Sequence, residues 1–316
     1  MTVIIQLGLL ILGFVLLVKG ADFFVDGAAG IASRLGIPEL VIGLTIVAMG
    51  TSAPEAAVSI TAAFKGNADI AIGNVCGSNI LNILVILGIS ALFVAIRVAN
   101  STIKYEIPFM LLISCLFLAL GFDGVMDRID GVVLWICFLI YLGYLFIMTK
   151  NSEQPKTEEG PTIPMAVLYT LVGLFMIVFG SDTTVDAASE LARVMGMSQR
   201  FIGLTIVALG TSLPELATSV SAARKGNADI AIGTIVGSNI FNILFVLGTS
   251  ALIVPINFAP VFRIDAGVVI FSALLLLLCS LNKRLGRRSG VIMLAFYAAY
   301  FVFVVLDVNV PVLPLG

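Results

Sequence analysis

The sequence contains no histidine among its 316 residues. This absence excludes imidazole proton relays and histidine metal ligands. The four cysteines are Cys76, Cys115, Cys137 and Cys279. All of them lie within apolar stretches and none is in a C-x-x-C pair, the spacing that favours a thiolate metal site or a redox pair. We therefore interpret the cysteines as packing residues.

Charged residues are also scarce. They make up 11 % of the chain, whereas 60 % is hydrophobic and the mean hydropathy is +1.15. Soluble domains are roughly half apolar and a quarter charged. The composition therefore indicates an all-α polytopic membrane protein. The N-terminus lacks a basic segment and a convincing cleavage site, so we interpret it as a first spanning helix and not as a removed signal peptide.

Hydropathy predicts the membrane spans. Windows of about 20 apolar residues are long enough to cross the bilayer as helices. Ten such spans are predicted, at 3–18, 40–64, 70–94, 107–122, 131–149, 163–180, 201–223, 230–254, 264–281 and 290–306. With the N-terminus outside, 12 of the 17 Lys and Arg residues lie in inside connections and 5 in outside ones. This bias predicts a multi-pass protein of the cell membrane with both termini outside.

One long stretch of the sequence occurs twice. Residues 43–92 and 203–252 align at an offset of 160 without a gap, and 36 of the 50 positions are identical. The recurrence extends upstream, where Gly13, Gly20, Asp22, Asp26 and Gly36 return as Gly173, Gly180, Asp182, Asp186 and Gly196. Each half is therefore expected to hold five helices. Because five is odd, the halves must enter the membrane from opposite sides, as an inverted repeat. We predict a first repeat over 1–150, a cytoplasmic linker over 151–162 and a second repeat over 163–316.

Each copy contains a sequence that interrupts a helix. The two sequences are Gly50-Thr51-Ser52-Ala53-Pro54-Glu55 and Gly210-Thr211-Ser212-Leu213-Pro214-Glu215. Proline has no amide hydrogen, so the carbonyls at 48–50 are expected to lack helical partners. At membrane depth such groups must be buried in protein or line a wet cavity, and a bound cation can satisfy them. Broken helices are therefore expected at the midplane.

The glutamates of these sequences lie deep in the membrane. Glu55 is roughly 14 Å from the end of its span at about 1.5 Å per residue. None of the predicted spans contains a Lys or Arg that could pair with Glu55 or Glu215. A charge at this depth costs at least about 2.5 kcal/mol on insertion scales, so an unpaired carboxylate there indicates function. Two facing carboxylates can neutralise one divalent cation.

Other oxygen-bearing side chains accompany each glutamate. Thr51 shares a helix face with Glu55, and Ser52 lies beside them. Ser78 and Asn82 have the same spacing in the next span. The second copy supplies Thr211, Ser212, Ser238 and Asn242. Carboxylate, hydroxyl, amide and carbonyl oxygens suit Ca²⁺ or Na⁺ and not zinc or copper.

The paired motifs G-T-S-x-P-E and G-S-N-x-x-N, in two copies, resemble the alpha repeats of the calcium/cation antiporter superfamily. The likeness is greatest to prokaryotic sodium/calcium exchangers, and it covers nearly the whole chain. It implies a ten-helix alternating-access antiporter whose substrates are Na⁺ and Ca²⁺, with no cofactor. Carried over by motif position, the ion ligands are Glu55, Glu215, Thr51, Ser52, Thr211, Ser212, Ser78, Ser238, Asn82, Asn242 and the carbonyls of Ala48 and Ala208.

Some relatives carry aspartate where this chain has Asn82 or Asn242. Two asparagines leave only two formal charges at the centre, which argues against a potassium-dependent variant and leaves the stoichiometry open. Proton/cation exchange, with Glu55 and Glu215 protonating in turn, is the main alternative. A Ca²⁺-permeable channel is less well supported, because an inverted repeat supplies two related gates around one site. No nucleophile accompanies the carboxylates, so we expect no enzyme.

The remaining charged residues have structural interpretations. Asp69 and Asp229 each precede an apolar run and are expected to be N-caps of the third and eighth helices. The four aspartates that recur upstream, Asp22, Asp26, Asp182 and Asp186, are expected to cap or pair at the membrane interface. The basic residues of 283–288 are expected to be a topology signal and not a nucleic-acid site. Apart from the bilayer and the transported ions, no partner is expected.

Overall fold

The structure is a computed structural model that describes residues 2–65, 69–151, 160–195 and 208–308. Its α-helices are α1 (Thr2–Leu35), α2 (Glu39–Ile42), α3 (Ala48–Thr51), α4 (Ala53–Phe64), α5 (Asp69–Leu81), α6 (Gly88–Phe93), α7 (Ile107–Leu120), α8 (Arg128–Asn151), α9 (Ile163–Val194), α10 (Ala208–Thr211), α11 (Leu213–Lys225), α12 (Ala228–Phe241), α13 (Gly248–Ile253), α14 (Pro260–Ser280) and α15 (Arg287–Val308). Gly43–Val47, Asn82–Leu87, Thr102–Glu106 and Asn242–Leu247 are π-helical, and Gly121–Asp123 is a 3-10 turn.

The predicted all-helical membrane fold is confirmed. Within the described ranges, 8 helical segments are long and apolar enough to cross a membrane. A ninth is formed by Glu39–Thr51 and Ala53–Phe64, which are bent by 51° where they meet. The predicted span 201–223 is described only from Ala208, as α10 and α11. The count of ten spans therefore stays a prediction.

Helices α1 and α9 are longer than hydropathy predicts. They contain 34 and 32 residues, whereas the predicted spans end at residues 18 and 180. A hydropathy window ends where charged residues begin, but Asp22 and Asp26 remain inside α1 and face Lys225 of α11. The Lys225 Nζ lies 3.8 Å from Asp22 Oδ1 and 2.7 Å from Asp26 Oδ1. The predicted pairing of these two aspartates is confirmed.

Helices α1 and α9 hold equivalent places in the two copies and pack against each other. Gly13 lies against Gly180. Further along α1, Gly20 lies against Gly173, which precedes Gly180 in α9. A Cβ added at Gly20 would be 2.9 Å from the Gly173 carbonyl oxygen, so a small residue is needed for this approach. The order of these contacts shows that α1 and α9 run in opposite directions.

Short strands connect the two copies reciprocally. β1 (Ile96–Arg97) pairs antiparallel with β4 (Arg284–Leu285), and β2 (Val125–Met126) pairs antiparallel with β3 (Ile256–Asn257). Ile96 lies opposite Leu285. Its counterpart at an offset of 160, Ile256, lies opposite Met126. Each copy therefore contributes an isoleucine from an equivalent position to a strand pair with the other copy.

The centre of the fold is helix α12 and the π-helical segment that follows it. Every residue from Ile230 to Phe241 is buried. Helix α12 packs against α2, Gly43–Val47 and α3, and an added Cβ at Gly233 or Gly237 would lie 3.0 or 2.7 Å from a backbone carbonyl oxygen of these segments. The outer helices expose apolar side chains such as Ile4, Ile140 and Val302, as lipid-facing helices do. The polar residues of the two motifs thus lie on the most enclosed helices.

One capping prediction is wrong. Helix α12 begins at Ala228 with Asn227 in the N-cap position and without a side-chain cap hydrogen bond. Asp229 therefore lies inside the first turn, where a carboxylate interacts favourably with the helix dipole. Asp69 begins α5, but its side chain lies outside the described residues. Residues 152–159 of the predicted linker also lie outside the described residues, so the linker is described only at its ends.

Candidate ion-binding site

The same local sequence holds a glutamate at each helix break. Helix α3 ends at Thr51, and α4 begins at Ala53 with Pro54 in its first turn, where a missing amide hydrogen costs little. Ser52, between them, has φ −84° and ψ 7°. Ser212 separates α10 from α11 with φ −91° and ψ 3°. Each break therefore places its glutamate in the first turn of the helix that follows.

The two glutamates are enclosed in the protein. Glu55 is 1 % exposed and Glu215 is 0 % exposed. Their carboxylates are near enough to interact electrostatically. The predicted ligands that are buried with them are Thr51, Ser52, Ser78, Ser212, Ser238, Asn82, Asn242 and Ala48. Thr211 is partly exposed, and the Ala208 side chain lies outside the described residues.

The break of the first copy contacts the glutamate of the second. Ser52 Oγ donates a hydrogen bond to Glu215 Oε1 at 2.8 Å. Ser238 Oγ lies 3.5 Å from the same oxygen and 3.3 Å from the Ala48 carbonyl oxygen. On the other side, Ser212 lies beside Glu55 without completing a hydrogen bond of normal geometry. The predicted ligands Ser52, Ser238 and Glu215 are therefore brought together.

The Ala48 carbonyl differs from the expectation. Ser52 N donates to it at 3.0 Å, and Thr51 Oγ1 lies 3.3 Å from it. The expectation that this carbonyl lacks a helical partner is wrong, because the bond that Pro54 cannot make belongs to the carbonyl of Gly50. A carbonyl oxygen has two lone pairs, so the ligand roles of Ala48 and Ala208 stay predictions.

Four asparagines are hydrogen-bonded across the fold. Asn82 Nδ2 donates to Asn239 Oδ1 at 3.0 Å, and Asn242 Nδ2 donates to Asn79 Oδ1 at 3.2 Å. Asn79 Nδ2 donates to the Asn239 carbonyl at 3.2 Å, and Asn239 Nδ2 donates to the Asn79 carbonyl at 3.3 Å. Asn79 and Asn239 are not among the predicted ligands, although each is the third residue of a G-S-N-x-x-N motif. The network joins α5 to α12.

Several buried oxygens at this centre have no hydrogen-bond partner among the described residues. They are Glu55 Oε2, Glu215 Oε2, Asn82 Oδ1, Asn242 Oδ1 and Ser212 Oγ. An unpaired buried polar atom costs about 1–3 kcal/mol, so their concentration in one region requires a ligand or another explanation. The π-helical segments that begin at Asn82 and Asn242 pack against α11 and α4, the helices that carry the glutamates. The atoms are of the donor classes that Ca²⁺ and Na⁺ prefer.

Among the described residues, no Lys or Arg side chain pairs with either glutamate. The ion pairs of the described residues join Arg193 to Glu190 and Lys225 to Asp22 and Asp26, and none reaches Glu55 or Glu215. The described ranges also contain no group of 3 or more His, Cys, Asp or Glu residues that could hold a metal. Two carboxylates and neutral oxygens are therefore what the centre offers to a cation.

One cavity is lined by residues of both helix breaks. Its volume is about 560 Å³, and its lining includes Pro54, Thr211, Asp182 and Asp186. A second cavity of about 500 Å³ shares Asp186 and continues towards Glu190 and Arg193. Asp182 and Asp186 therefore lie in the same cavity as residues of both helix breaks.

Comparison with known proteins places this geometry in a group of transporters. The sequence profile described as "Sodium/calcium exchanger protein" matches residues 5–149 and 165–306. The putative antiporter CaxA of Alkalimonas amylolytica is 42 % identical over 92 % of this chain and 95 % of its own. The sodium/calcium exchanger MaX1 of Methanosarcina acetivorans is 33 % identical over 93 % of this chain and 97 % of its own.

A solved structure agrees with the sequence comparisons. The sodium-calcium exchanger NCX_Mj, soaked with 2.5 mM Na⁺ and 10 mM Sr²⁺, superposes with a TM-score of 0.85 and 35 % identity. The match covers 95 % of this chain and 99 % of that chain. The likeness therefore extends over both copies of the repeat.

Proposed function

Because the chain belongs to the sodium/calcium exchanger protein family and is a membrane cation antiporter, not an enzyme, we propose that it exchanges Na⁺ for Ca²⁺. The two ions would be alternative substrates of one site between the two repeats. Glu55 and Glu215 would supply the charge, and the hydroxyl, amide and carbonyl oxygens named above would complete the coordination.

The set of unpartnered oxygens supports this proposal most directly. Glu55 Oε2 and Glu215 Oε2 come from different copies, as do Asn82 Oδ1 and Asn242 Oδ1. Two carboxylates balance the charge of one Ca²⁺, and neutral oxygens add ligands without adding charge. Binding of more than two Na⁺ would leave the centre positive, so exchange at that stoichiometry would move net charge across the membrane.

We propose that the transport cycle rests on two inverted five-helix repeats, 1–150 and 163–316, with both termini outside. The antiparallel packing of α1 and α9 and the reciprocal strand pairs support this organisation. The cavity at Asp182 and Asp186 would lead to the ions from one side of the membrane. Rearrangement of one repeat against the other would then open the opposite side.

The test is flux measured with purified protein in proteoliposomes. Vesicles loaded with Na⁺ and diluted into Na⁺-free medium are expected to accumulate radioactive Ca²⁺, because outward Na⁺ movement drives inward Ca²⁺ movement. Replacing the Na⁺ gradient by a K⁺ or a pH gradient is expected to abolish accumulation. Collapsing the membrane potential tests whether net charge moves.

Two results would contradict the proposal. Accumulation driven by a pH gradient and indifferent to Na⁺ would make the protein a proton/cation exchanger. Ca²⁺ entry that needs no counter-ion would make it a channel. Protein-free vesicles carried through the same dilution measure the leak that must be subtracted in each case.

A further inference from the structure

We propose that Asn79 and Asn239 are positioning residues, which hold the amides of Asn82 and Asn242 with their oxygens turned towards the ions. The proposal rests on the ion site proposed above and adds residues that the motif resemblance did not assign. It follows from the direction of four hydrogen bonds.

The direction of each bond is fixed by chemistry. A backbone carbonyl can only accept, so the Asn79 amide must present its NH₂ group to the Asn239 carbonyl at 3.2 Å. The Asn79 Oδ1 then faces the other way and can only accept. Asn242 must therefore donate its Nδ2 to this oxygen, at 3.2 Å, and its own Oδ1 is turned away from the bond.

The same sequence of constraints operates in the other copy. Asn239 donates to the Asn79 carbonyl at 3.3 Å, and its Oδ1 accepts the Asn82 amide at 3.0 Å. The Asn82 Oδ1 is left buried and without a partner among the described residues, as is the Asn242 Oδ1. A free asparagine could present either its NH₂ group or its oxygen. The network removes that choice, and only the oxygen can bind a cation.

The pairing crosses between the copies. Asn239 of the second copy orients Asn82 of the first, and Asn79 of the first orients Asn242 of the second. Coordination at either amide therefore depends on both repeats remaining in register at this point. All four asparagines are 1 % exposed. Solvent is thus kept away from the network.

Double-mutant cycles test the proposal. Alanine is introduced at each asparagine, and half-saturating Ca²⁺ and Na⁺ concentrations are measured by flux and by ion-dependent thermal stabilisation of the purified protein. Asn82→Ala and Asn239→Ala are each expected to raise half-saturating Ca²⁺ about tenfold, with the double variant no worse than Asn82→Ala alone. The same is expected of Asn242 with Asn79.

Matched reference pairs are available on single helices. These pairs are Asn79 with Asn82 and Asn239 with Asn242. The two pairs have the same spacing in the sequence, and within neither pair do the side chains share a hydrogen bond. The effects of the two substitutions in each pair on ion affinity are therefore expected to add. The conservative variant Asn239→Ser retains an oxygen that can accept from Asn82 and is expected to recover part of the affinity. It also serves if Asn239→Ala does not fold.

The outcomes distinguish the ligand role of Asn82 and Asn242 from the positioning role of Asn79 and Asn239. If Asn82→Ala and Asn242→Ala leave both half-saturating concentrations unchanged, the amides are not ligands and the proposed site is wrong at these positions. If they weaken binding but all four pairs are additive, only the positioning role of Asn79 and Asn239 is overturned.

Polar contacts at the surface connect α11 to α1. Lys225 on α11 pairs with Asp26 at 2.7 Å and donates to the Asp22 carbonyl at 2.7 Å. Ser221 Oγ donates to Asp22 Oδ1 at 2.7 Å. These contacts fasten α11 to α1 on one side of the membrane. We name Lys225, Ser221, Asp22 and Asp26 the first latch.

The same types of side chain recur at the equivalent positions of the other copy. At an offset of 160, the counterparts are Lys65, Thr61, Asp182 and Asp186, which we name the second latch. In the described residues Lys65 makes no ion pair, and it lies with Thr61 in the lining of a cavity of about 550 Å³. Asp182 and Asp186 line the cavity that leads to the helix breaks. The structure thus has one latch closed and its counterpart open.

We infer that the two latches close in alternation during transport. Closing the second latch would draw α4 towards α9 and narrow the cavity beside Pro54 and Thr211. Opening the first would release α11 from α1 on the opposite side. Ions would then reach the site from one side at a time. This inference also rests on the alternating access proposed above.

Cross-linking tests the alternation. The pairs Asp26→Cys with Lys225→Cys and Lys65→Cys with Asp186→Cys are placed in a chain whose four native cysteines are replaced by serine and whose exchange is retained. Each cross-link alone is expected to stop exchange, and reduction to restore it. With all four new cysteines present, the two cross-links are expected not to form in the same molecule.

The charge-swapped variant Asp26→Lys with Lys225→Asp controls for lost packing, and it is expected to exchange better than Lys225→Asp alone. Both cross-links forming together, or normal exchange by either cross-linked form, would overturn the latch inference. Neither result bears on which ions are transported, since the gradient experiment decides that separately.

Discussion

Replacing Glu55 or Glu215 by glutamine is expected to abolish measurable Na⁺-driven Ca²⁺ uptake. Glutamine keeps the size of the side chain and one acceptor oxygen but removes the negative charge. With one carboxylate left, a bound Ca²⁺ would carry an uncompensated positive charge in a centre whose glutamates are 1 % exposed or less. Removing one partner from a buried charge arrangement costs about 3–5 kcal/mol, which weakens binding by roughly 100-fold or more.

The two substitutions are expected to differ in their effect on the ion-free protein. Glu215 Oε1 accepts the Ser52 hydroxyl at 2.8 Å, and glutamine can accept the same bond. Removing either charge also leaves one carboxylate in place of two like charges buried in the same centre. Both variants are therefore expected to be at least as heat-stable as the parent without ions and to lose the stabilisation that Ca²⁺ gives. Ca²⁺-dependent melting temperature and radioactive Ca²⁺ flux are the measurements.

The matched control is Glu106→Gln. Glu106 is also 1 % exposed within the helical bundle, and Tyr144 donates a hydrogen bond to its carboxylate, which glutamine can still accept. It belongs to neither motif, so its loss is expected to leave exchange close to the parent's rate. Retained uptake by Glu55→Gln and Glu215→Gln, or an equal loss in Glu106→Gln, would show that charge at the motif glutamates is not what binds Ca²⁺.

The all-helical membrane fold and the buried position of the two glutamates were predictable because they depend on local sequence. Hydropathy identifies helices, and the duplicated Pro54 and Pro214 mark helix breaks in the two copies. The glutamate next to each proline stands out because the spans contain no Lys or Arg to pair with it. These features need no knowledge of how the helices pack.

The parts that could not be predicted depend on contacts between distant residues. Asn79 and Asn239 are separated by 160 residues, and nothing in either motif shows that each donates to the other's backbone. The predicted first span ended at residue 18 because charged residues follow it, whereas α1 continues and Lys225 on a distant helix pairs with one of them, Asp26. The carbonyl of Ala48 keeps its bond because Ser52 N donates to it, whereas the bond that Pro54 cannot make belongs to Gly50.

Gly237→Ala is expected to reduce exchange severely although it adds one methyl group. A Cβ at this position would lie 2.7 Å from the Leu44 carbonyl oxygen and 2.8 Å from both Leu44 Cα and Ala48 Cβ. Two of these atoms belong to the backbone, so no side-chain rotation relieves the overlap. Helix α12 must move away from the segment Glu39–Thr51, and such overpacking costs about 1–3 kcal/mol.

The displacement would fall on the proposed site itself. Ser238 follows Gly237, and its Oγ lies 3.3 Å from the Ala48 carbonyl and 3.5 Å from Glu215 Oε1. A shift of a few tenths of an ångström lengthens both contacts and changes the spacing of the ligands that Ca²⁺ needs. We therefore expect a higher half-saturating Ca²⁺ concentration as well as a lower melting temperature for Gly237→Ala.

Two other helical glycines provide matched controls for this prediction. An added Cβ at Gly143 or Gly267 meets nothing within 4 Å. Alanine there is expected to leave exchange unchanged and to keep or slightly raise stability, because alanine favours the helix by about 0.5–1 kcal/mol over glycine. Flux and melting temperature are compared across the three variants. A Gly237→Ala protein that exchanges like the two controls would show that close contact between α12 and the first copy is not needed to hold the site.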